Sequence, residues 1–289
     1  MTDKSRMMEI TDIFGELPPK PIHISGSILK RDIGFAAGKA VLSDHNLTLE
    51  MADTEFNIPF RSVIPNKSGV PVILYLGFDD YIPSRYLPAE EIIDRGYAIY
   101  LLNLNRIATP DERDKTTVAR QIIPSRKKKS AAGCIMLWAW AALRMVEYIS
   151  DSVEVKNIIP TGHGLSAMSA LLCASLDDKI SSVIANDPFA PIGEGYPSLV
   201  CKTPRLFSPI YAEKPSVCPI GALLSLCADK RVMLSSARDR SFADEDADRK
   251  AIADSGIIDF HYHSRGGLEY FSREDWNFYL DYLDEKLGK

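Results

Sequence analysis

The stretch Asn157-Ile158-Ile159-Pro160-Thr161-Gly162-His163-Gly164-Leu165-Ser166-Ala167 decides the reading of the fold. A short apolar run of strand length enters a glycine-flanked turn, and the turn passes straight into a helix-forming run that reaches Leu176. A fully buried strand followed at once by a helix is the repeating unit of a parallel sheet. In this context a turn of the form G-x-S-x-G holds a nucleophile, and small residues surround it because strand and helix pack closely. Gly162, Ser166 and Ala167 supply the small residues, but the third position of the pattern is Gly164.

The same alternation extends on both sides. Upstream, residues 70–76 (VPVILYL) form an unbroken apolar strand ending at Gly77, a helical stretch occupies 89–95, Gly96 stops it, and a second apolar strand covers 97–102. Residues 131–150, rich in Ala, Leu and Met and carrying Trp138 and Trp140, read as a helix buried against the sheet, with both tryptophans in the core. Downstream, strands are expected at 182–185, 231–234 and 258–262, and an amphipathic helix at 272–287 closes the alternation. Residues 18–65 give only short strand-like pieces, such as the alternating run 45–51, which suit an antiparallel sheet edge. No GxGxxG follows the first strong strand, which argues against a dinucleotide site. With no repeat and no break in composition, the expectation is a single α/β domain over 1–289, in which about 1–65 is a less regular N-terminal extension and antiparallel edge.

Composition narrows the function classes. In 289 residues, 46% are hydrophobic and 25% charged, enough apolar content for a large core. A formal charge of −5 offers no broad positive field for nucleic acid or an anionic membrane surface. The basic run 126–129 precedes an apolar helix and reads as a solvated helix approach. Cys134, Cys173, Cys201, Cys218 and Cys227 form an odd set without a CxxC pair and read as free thiols of a reducing compartment. The charged start MTDKSRMMEITDIFG lacks a secretory apolar stretch, so a cytoplasmic location is expected.

Four stretches, GCIMLWAWAALRMVEYI (133–149), VKNIIPTGHGLSAMSALLCASLDDKISSVIAND (155–187), LLSLCADKRVMLSSARDRSFADED (223–246) and HSRGGLEYFSREDWNFYLDYLDEKL (263–287), resemble bacterial acetyl xylan esterases and their glucuronoyl-esterase and dienelactone-hydrolase-like relatives. The resemblance runs from about Val70 to the end and rests on the paired tryptophans, the turn at 162–166 and the Asp275-Trp276 helix start. It implies the α/β-hydrolase fold, a mostly parallel twisted sheet with helices on both faces, and serine esterase chemistry on acetylated or esterified carbohydrate. It also places the catalytic serine on Gly164 and the histidine, which follows a Gly-Gly pair, on Leu268 or Glu269. The acid falls on Asp239, or on Asp187 as in some relatives.

Neither glycine nor leucine can attack a carbonyl or carry a proton, so the triad positions are vestigial. Losing serine and histidine from such a unit costs on the order of 10⁶ in turnover. Ser166 is an alternative nucleophile if the turn is re-registered, and otherwise a helix-capping residue. His263 is an alternative base. His261 and His263 share one side of the last strand but lack a third ligand at motif spacing, so no metal and no cofactor is expected. Gly77, Phe78, His163 and Leu165 are expected to line a binding pocket, with Gly77-Phe78 following the strand whose loop supplies an oxyanion amide in this fold. Three readings stay open: a non-catalytic or weakly active homologue with a small-molecule or carbohydrate-ester ligand, an active hydrolase using Ser166 and His263, and a structural subunit of a homo-oligomer.

Overall fold

Helix α1 (Asp3–Phe14) leads into three antiparallel strands, β1 (His23–Asp32), β2 (Ala40–Glu50) and β3 (Glu55–Pro65), in a computed structural model that describes residues 3–111, 118, 128–155, 157–188, 203–215, 219–239 and 245–289. These strands are ten or eleven residues long, not the short pieces expected from sequence. The difference is physical: β2 and β3 pair in unbroken register from Ala40↔Pro65 to Glu50↔Glu55, and ladder bonds carry polar positions that hydrophobic periodicity misses.

The remainder alternates. Strand β4 (Val72–Gly77), helix α2 (Ala89–Asp94), strand β5 (Ala98–Asn103), helix α3 (Cys134–Ser152), strand β6 (Ile158–His163) and helix α4 (Leu165–Ser175) come first. Strand β7 (Ser182–Asn186), helices α5 (Pro209–Glu213) and α6 (Pro219–Leu226), strand β8 (Arg231–Ala237), helix α7 (Glu245–Ser255), strand β9 (Asp259–Arg265) and helix α8 (Arg273–Leu287) follow. All join one nine-stranded sheet in the order β1-β2-β3-β5-β4-β6-β7-β8-β9, antiparallel as far as the β3–β5 pair and parallel beyond it.

Every residue of β4, β5 and β7 is buried, because helices cover both faces. On one face Leu74, Leu76 and Tyr100 pack into a core with α1, α3, α4 and α6; on the other Ile73, Tyr75 and Leu101 pack with α2 and α8. Trp138 and Trp140 are both buried, and each indole N–H reaches a carbonyl, that of Ala108 at 3.0 Å and that of Pro19 at 3.1 Å. Helix α3 starts three residues later than the apolar run suggests, since the Gly133 amide donates to the Phe14 carbonyl at 2.8 Å and fixes the entry. Strands β8 and β9 run on to Ala237 and Arg265, beyond their apolar stretches, because Ser235 and Ser236 are buried with hydrogen-bonded hydroxyls.

Of the basic run, Lys128 pairs with Glu16 at 2.5 Å on the surface, and positions 126 and 127 lie outside the described residues. Cys134, Cys173 and Cys227 are buried and form no disulfide; Cys201 and Cys218 lie outside the described residues. No helix among the described residues is long and apolar enough to cross a membrane.

Candidate functional site

Gly164 links β6 to α4 at φ 58° and ψ −120°. Residues with side chains adopt such backbone only with strain of about 1 to 3 kcal/mol. A Cβ built on Gly164 would meet nothing within 4 Å, so the turn offers open space where a side chain could stand and fills it with none. Gly162 is the converse: its Cβ would lie 2.4 Å from the backbone of Ser166, so only glycine lets α4 pack this close to β6. Ser166 is 1% exposed, and its hydroxyl accepts from the His163 amide at 2.9 Å and donates to the His163 carbonyl at 3.0 Å. That hydroxyl is committed to closing the turn.

Both candidate acids are tied to the loop 266–270, where the resemblance places a histidine. Asp187, at the end of β7 with φ 47°, is 3% exposed. Its carboxylate accepts from the Ala237 amide at 2.6 Å, from the Arg265 guanidinium at 3.0 Å and from the Tyr270 amide at 3.4 Å. Burial pushes its pKa up to about 6, against the opposing pull of Arg265. Asp239, exposed beyond β8, accepts from the Gly267 amide at 2.6 Å, and its own amide donates to the Gly267 carbonyl at 3.0 Å. Leu268 is 69% exposed. The cation beneath this loop is the guanidinium of Arg265, which also donates to the Leu268 carbonyl at 2.8 Å, to the Tyr270 carbonyl, and to both oxygens of Asp275 at 3.1 and 3.0 Å.

His163 lies beside the elbow. Its Nδ1 is 2.5 Å from the Asn186 side-chain oxygen, which only accepts, so Nδ1 carries the proton. The Asn186 amide donates in turn to Ser235 Oγ at 2.6 Å. The ring stacks on Tyr86 at 5.5 Å, and burial holds its pKa below the usual histidine range, so it is neutral at pH 7.

His263 stands elsewhere. Strands β7 and β8 separate its strand from β6, three inter-strand spacings or roughly 14 Å. Its ring tilts over Phe278 of α8 at 4.7 Å, while His261 stacks on Phe278 at 4.0 Å and on Tyr282 at 4.1 Å. No group of three or more His, Cys, Asp or Glu among the described residues could hold a metal ion.

Gly77 and Phe78 close β4, the neighbour of β6, so they share a sheet edge with His163, Gly164 and Leu165. Phe78 is 40% exposed, and its carbonyl accepts from the Asn105 side chain at 2.8 Å. The Leu165 amide opens α4, where the first N–H groups have no intrahelical acceptor. The turn after β6 therefore presents amide donors and a neutral imidazole around a residue that has no side chain. Sequence reasoning passed over Arg265, Asn186, Tyr86 and Tyr270; an arginine directly before the Gly266-Gly267 pair was the one available signal.

The sheet order, the tight positive-φ turn after β6 and the acids after β7 and β8 define an α/β-hydrolase fold. The chain is similar in structure to the glucuronoyl esterase from Solibacter usitatus, with a TM-score of 0.81 and 16% identity over 97% of this chain and 91% of that one. It is also similar to a promiscuous carbohydrate esterase family 15 (CE15) esterase from a marine bacterial metagenome, with a TM-score of 0.82 and 17% identity over 98% of this chain and 91% of that one. A CE15 glucuronoyl esterase from Caldicellulosiruptor kristjansonii follows at 0.74 and 18%, over 98% and 84%. At such identities the likeness is one of fold. No family model matches the sequence, and no match was found among curated protein sequences.

Proposed function

We propose that this chain is an esterase homologue of the α/β-hydrolase kind that binds an acyl or carbohydrate-ester ligand without turning it over as a serine esterase does. The carrying observation is Gly164: elbow geometry at φ 58° with open space around the missing Cβ, and therefore no hydroxyl to attack. The loop after β9 adds to it, since Leu268 and Glu269 bring no imidazole and Arg265 engages Asp187. Binding and amide donors alone leave about 10³ to 10⁴ over the uncatalysed rate.

The resemblance and the neighbours' names make esterified sugar the first ligand class to test. p-Nitrophenyl acetate and a glucuronic acid methyl ester serve as substrates for hydrolysis, and the same ester serves as ligand in a thermal shift. The expected result is no turnover beyond that residual acceleration together with a ligand-dependent rise in Tm. Turnover above about 1 s⁻¹, a low value for an enzyme, overturns the proposal.

A further inference from the structure

Each end of the nine-stranded sheet carries a strand with a single neighbour, β1 beside β2 and β9 beside β8. The Arg238 amide donates to the Arg265 carbonyl at 2.9 Å, so the backbone of Arg265 faces β8. Successive residues of a strand turn their N–H and C=O to opposite sides. Asp259, His261 and His263 therefore bond to β8. Phe260, Tyr262 and Ser264 turn three N–H and three C=O groups away from the sheet, where no described residue pairs with them.

The two edges differ in how they are guarded. An open edge recruits another strand unless a bulge, a charge or a proline blunts it. Strand β1 is blunted: its register with β2 slips between Ile28 and Lys30, and the exposed Lys30, Arg31 and Asp32 follow. Strand β9 carries no Lys, Pro or Gly and pairs with β8 in unbroken register. Its flank is apolar, with Ile258 91% and Phe260 47% exposed. Both faces hold it in place: His261 and His263 pack on Phe278 of α8, and Arg249 of α7 lies over the Tyr262 ring at 4.9 Å. The edge is set before any partner arrives.

We propose that β9 is the interface of a homodimer, pairing antiparallel with β9 of a second copy about a two-fold axis through His261, so that two sheets become one. In this register the strand is complementary to itself. Phe260 stands opposite Tyr262 of the second copy, and Tyr262 opposite its Phe260, two aromatic pairs of the kind that stabilise facing strands. The outward N–H and C=O groups of these same residues bond across the axis. Asp259 stands opposite His263 of the second copy, an acid against a base. Moving the axis to Tyr262 sets Phe260 against Ser264 and loses both aromatic pairs. Pairing of β9 with β1 of another copy, which would propagate as a filament, meets the bulge of β1. The two-fold contact closes at two copies.

Analytical ultracentrifugation of the full chain, joined to native-state amide exchange, tests the proposal. At about 100 µM the parent should sediment as two copies of a 32.1 kDa chain. Phe260→Lys and Ile258→Lys should each weaken association at least about tenfold, and Leu29→Lys on the β1 edge should leave it unchanged. Ile258 precedes the strand and is almost fully exposed, so its variant keeps the test open if Phe260→Lys fails to fold, which a melting curve reports. In the parent the amides of Phe260, Tyr262 and Ser264 should exchange as slowly as those of His261 and His263; in either β9 variant only the first three become fast. A parent that sediments as one copy at that concentration overturns the proposal. So does an assembly larger than two, a dimer that survives both β9 variants, or a dimer whose outward β9 amides exchange freely. Hydrolysis of an ester, which would overturn the reading of the elbow, leaves these readouts untouched.

Discussion

The guanidinium of Arg265 reaches the carboxylate of Asp187 at 3.0 Å, and both side chains are buried, 7% and 1% exposed. The same guanidinium meets the fully buried carboxylate of Asp275 at 3.0 Å. Arg265→Met therefore strands two acids in the interior. Removing one partner from a buried pair costs about 3 to 5 kcal/mol, and urea denaturation of the variant should show a loss of that size. A loss below about 1 kcal/mol, the value of a surface pair, would mean that the cluster is open to water.

Asp187 also gives a pH dependence with a definite sign. In the unfolded chain it ionises near 3.8, and in the folded chain at about 6. Between these values the unfolded state has released the proton and the folded state still holds it, so this group lowers stability as pH rises from about 4 to 6. Stability measured across this window should fall less steeply in Asp187→Asn than in the parent chain; an identical slope contradicts the assignment.

The two glycines of the elbow should respond differently. Gly162→Ala drives a Cβ to 2.4 Å from the Ser166 backbone, overpacking with a cost of about 1 to 3 kcal/mol or more. Gly164→Ser meets open space and adds only backbone strain, about 1 to 3 kcal/mol, and with His163 Nδ1–H committed to Asn186 and no imidazole in the loop 266–270 it should gain no esterase turnover. Thermal melts and a p-nitrophenyl acetate assay on both variants read this out; the result that fails is a destabilised Gly164→Ser beside an unaffected Gly162→Ala.

Ser166 does not cap the helix, since the N-cap is Gly164 and the Ser166 hydroxyl bonds only the His163 backbone, so Ser166→Ala separates a turn-closing hydroxyl from a reacting one. The variant should lose about 0.5 to 1.5 kcal/mol of stability for each hydrogen bond and show the same background hydrolysis as the parent. Any hydrolysis that vanishes with this hydroxyl would make Ser166 a nucleophile.

Burial pushes the Cys227 thiol up to about 12, and the Cys173 thiol rises for the same reason. A chain carrying Cys201→Ser and Cys218→Ser should therefore give no reaction with a thiol reagent at neutral pH until denaturant is added. Rapid labelling of the folded double variant would show that Cys134, Cys173 or Cys227 is accessible.

The central sheet was legible because β4 to β7 are buried on both faces and written in apolar runs, and the tight turn after β6 because its small residues are dictated by close packing. The antiparallel flank was less legible: β1 is exposed along almost its whole length, so no hydrophobic period marks it. The Arg265 cluster was hidden for another reason. Asp187, Arg265 and Asp275 lie far apart in the chain, and only the parallel order of β7, β8 and β9 followed by α8 brings them together. His263 shows the same limit, since alternation along β9 predicts which side it takes but not that Phe278 waits there.

Helix α1 has a partner very late in the chain. Its buried Ile10, Ile13 and Phe14 pack in the core with Phe207, and the Ser208 amide and hydroxyl donate to the carbonyls of Ile13 and Asp12. During synthesis the amino-terminal part emerges first. The surface that receives this side of α1 is complete only once Ser208 has left the ribosome, so the helix's buried Ile10, Ile13 and Phe14 wait for a partner 196 residues further along the chain from Asp12.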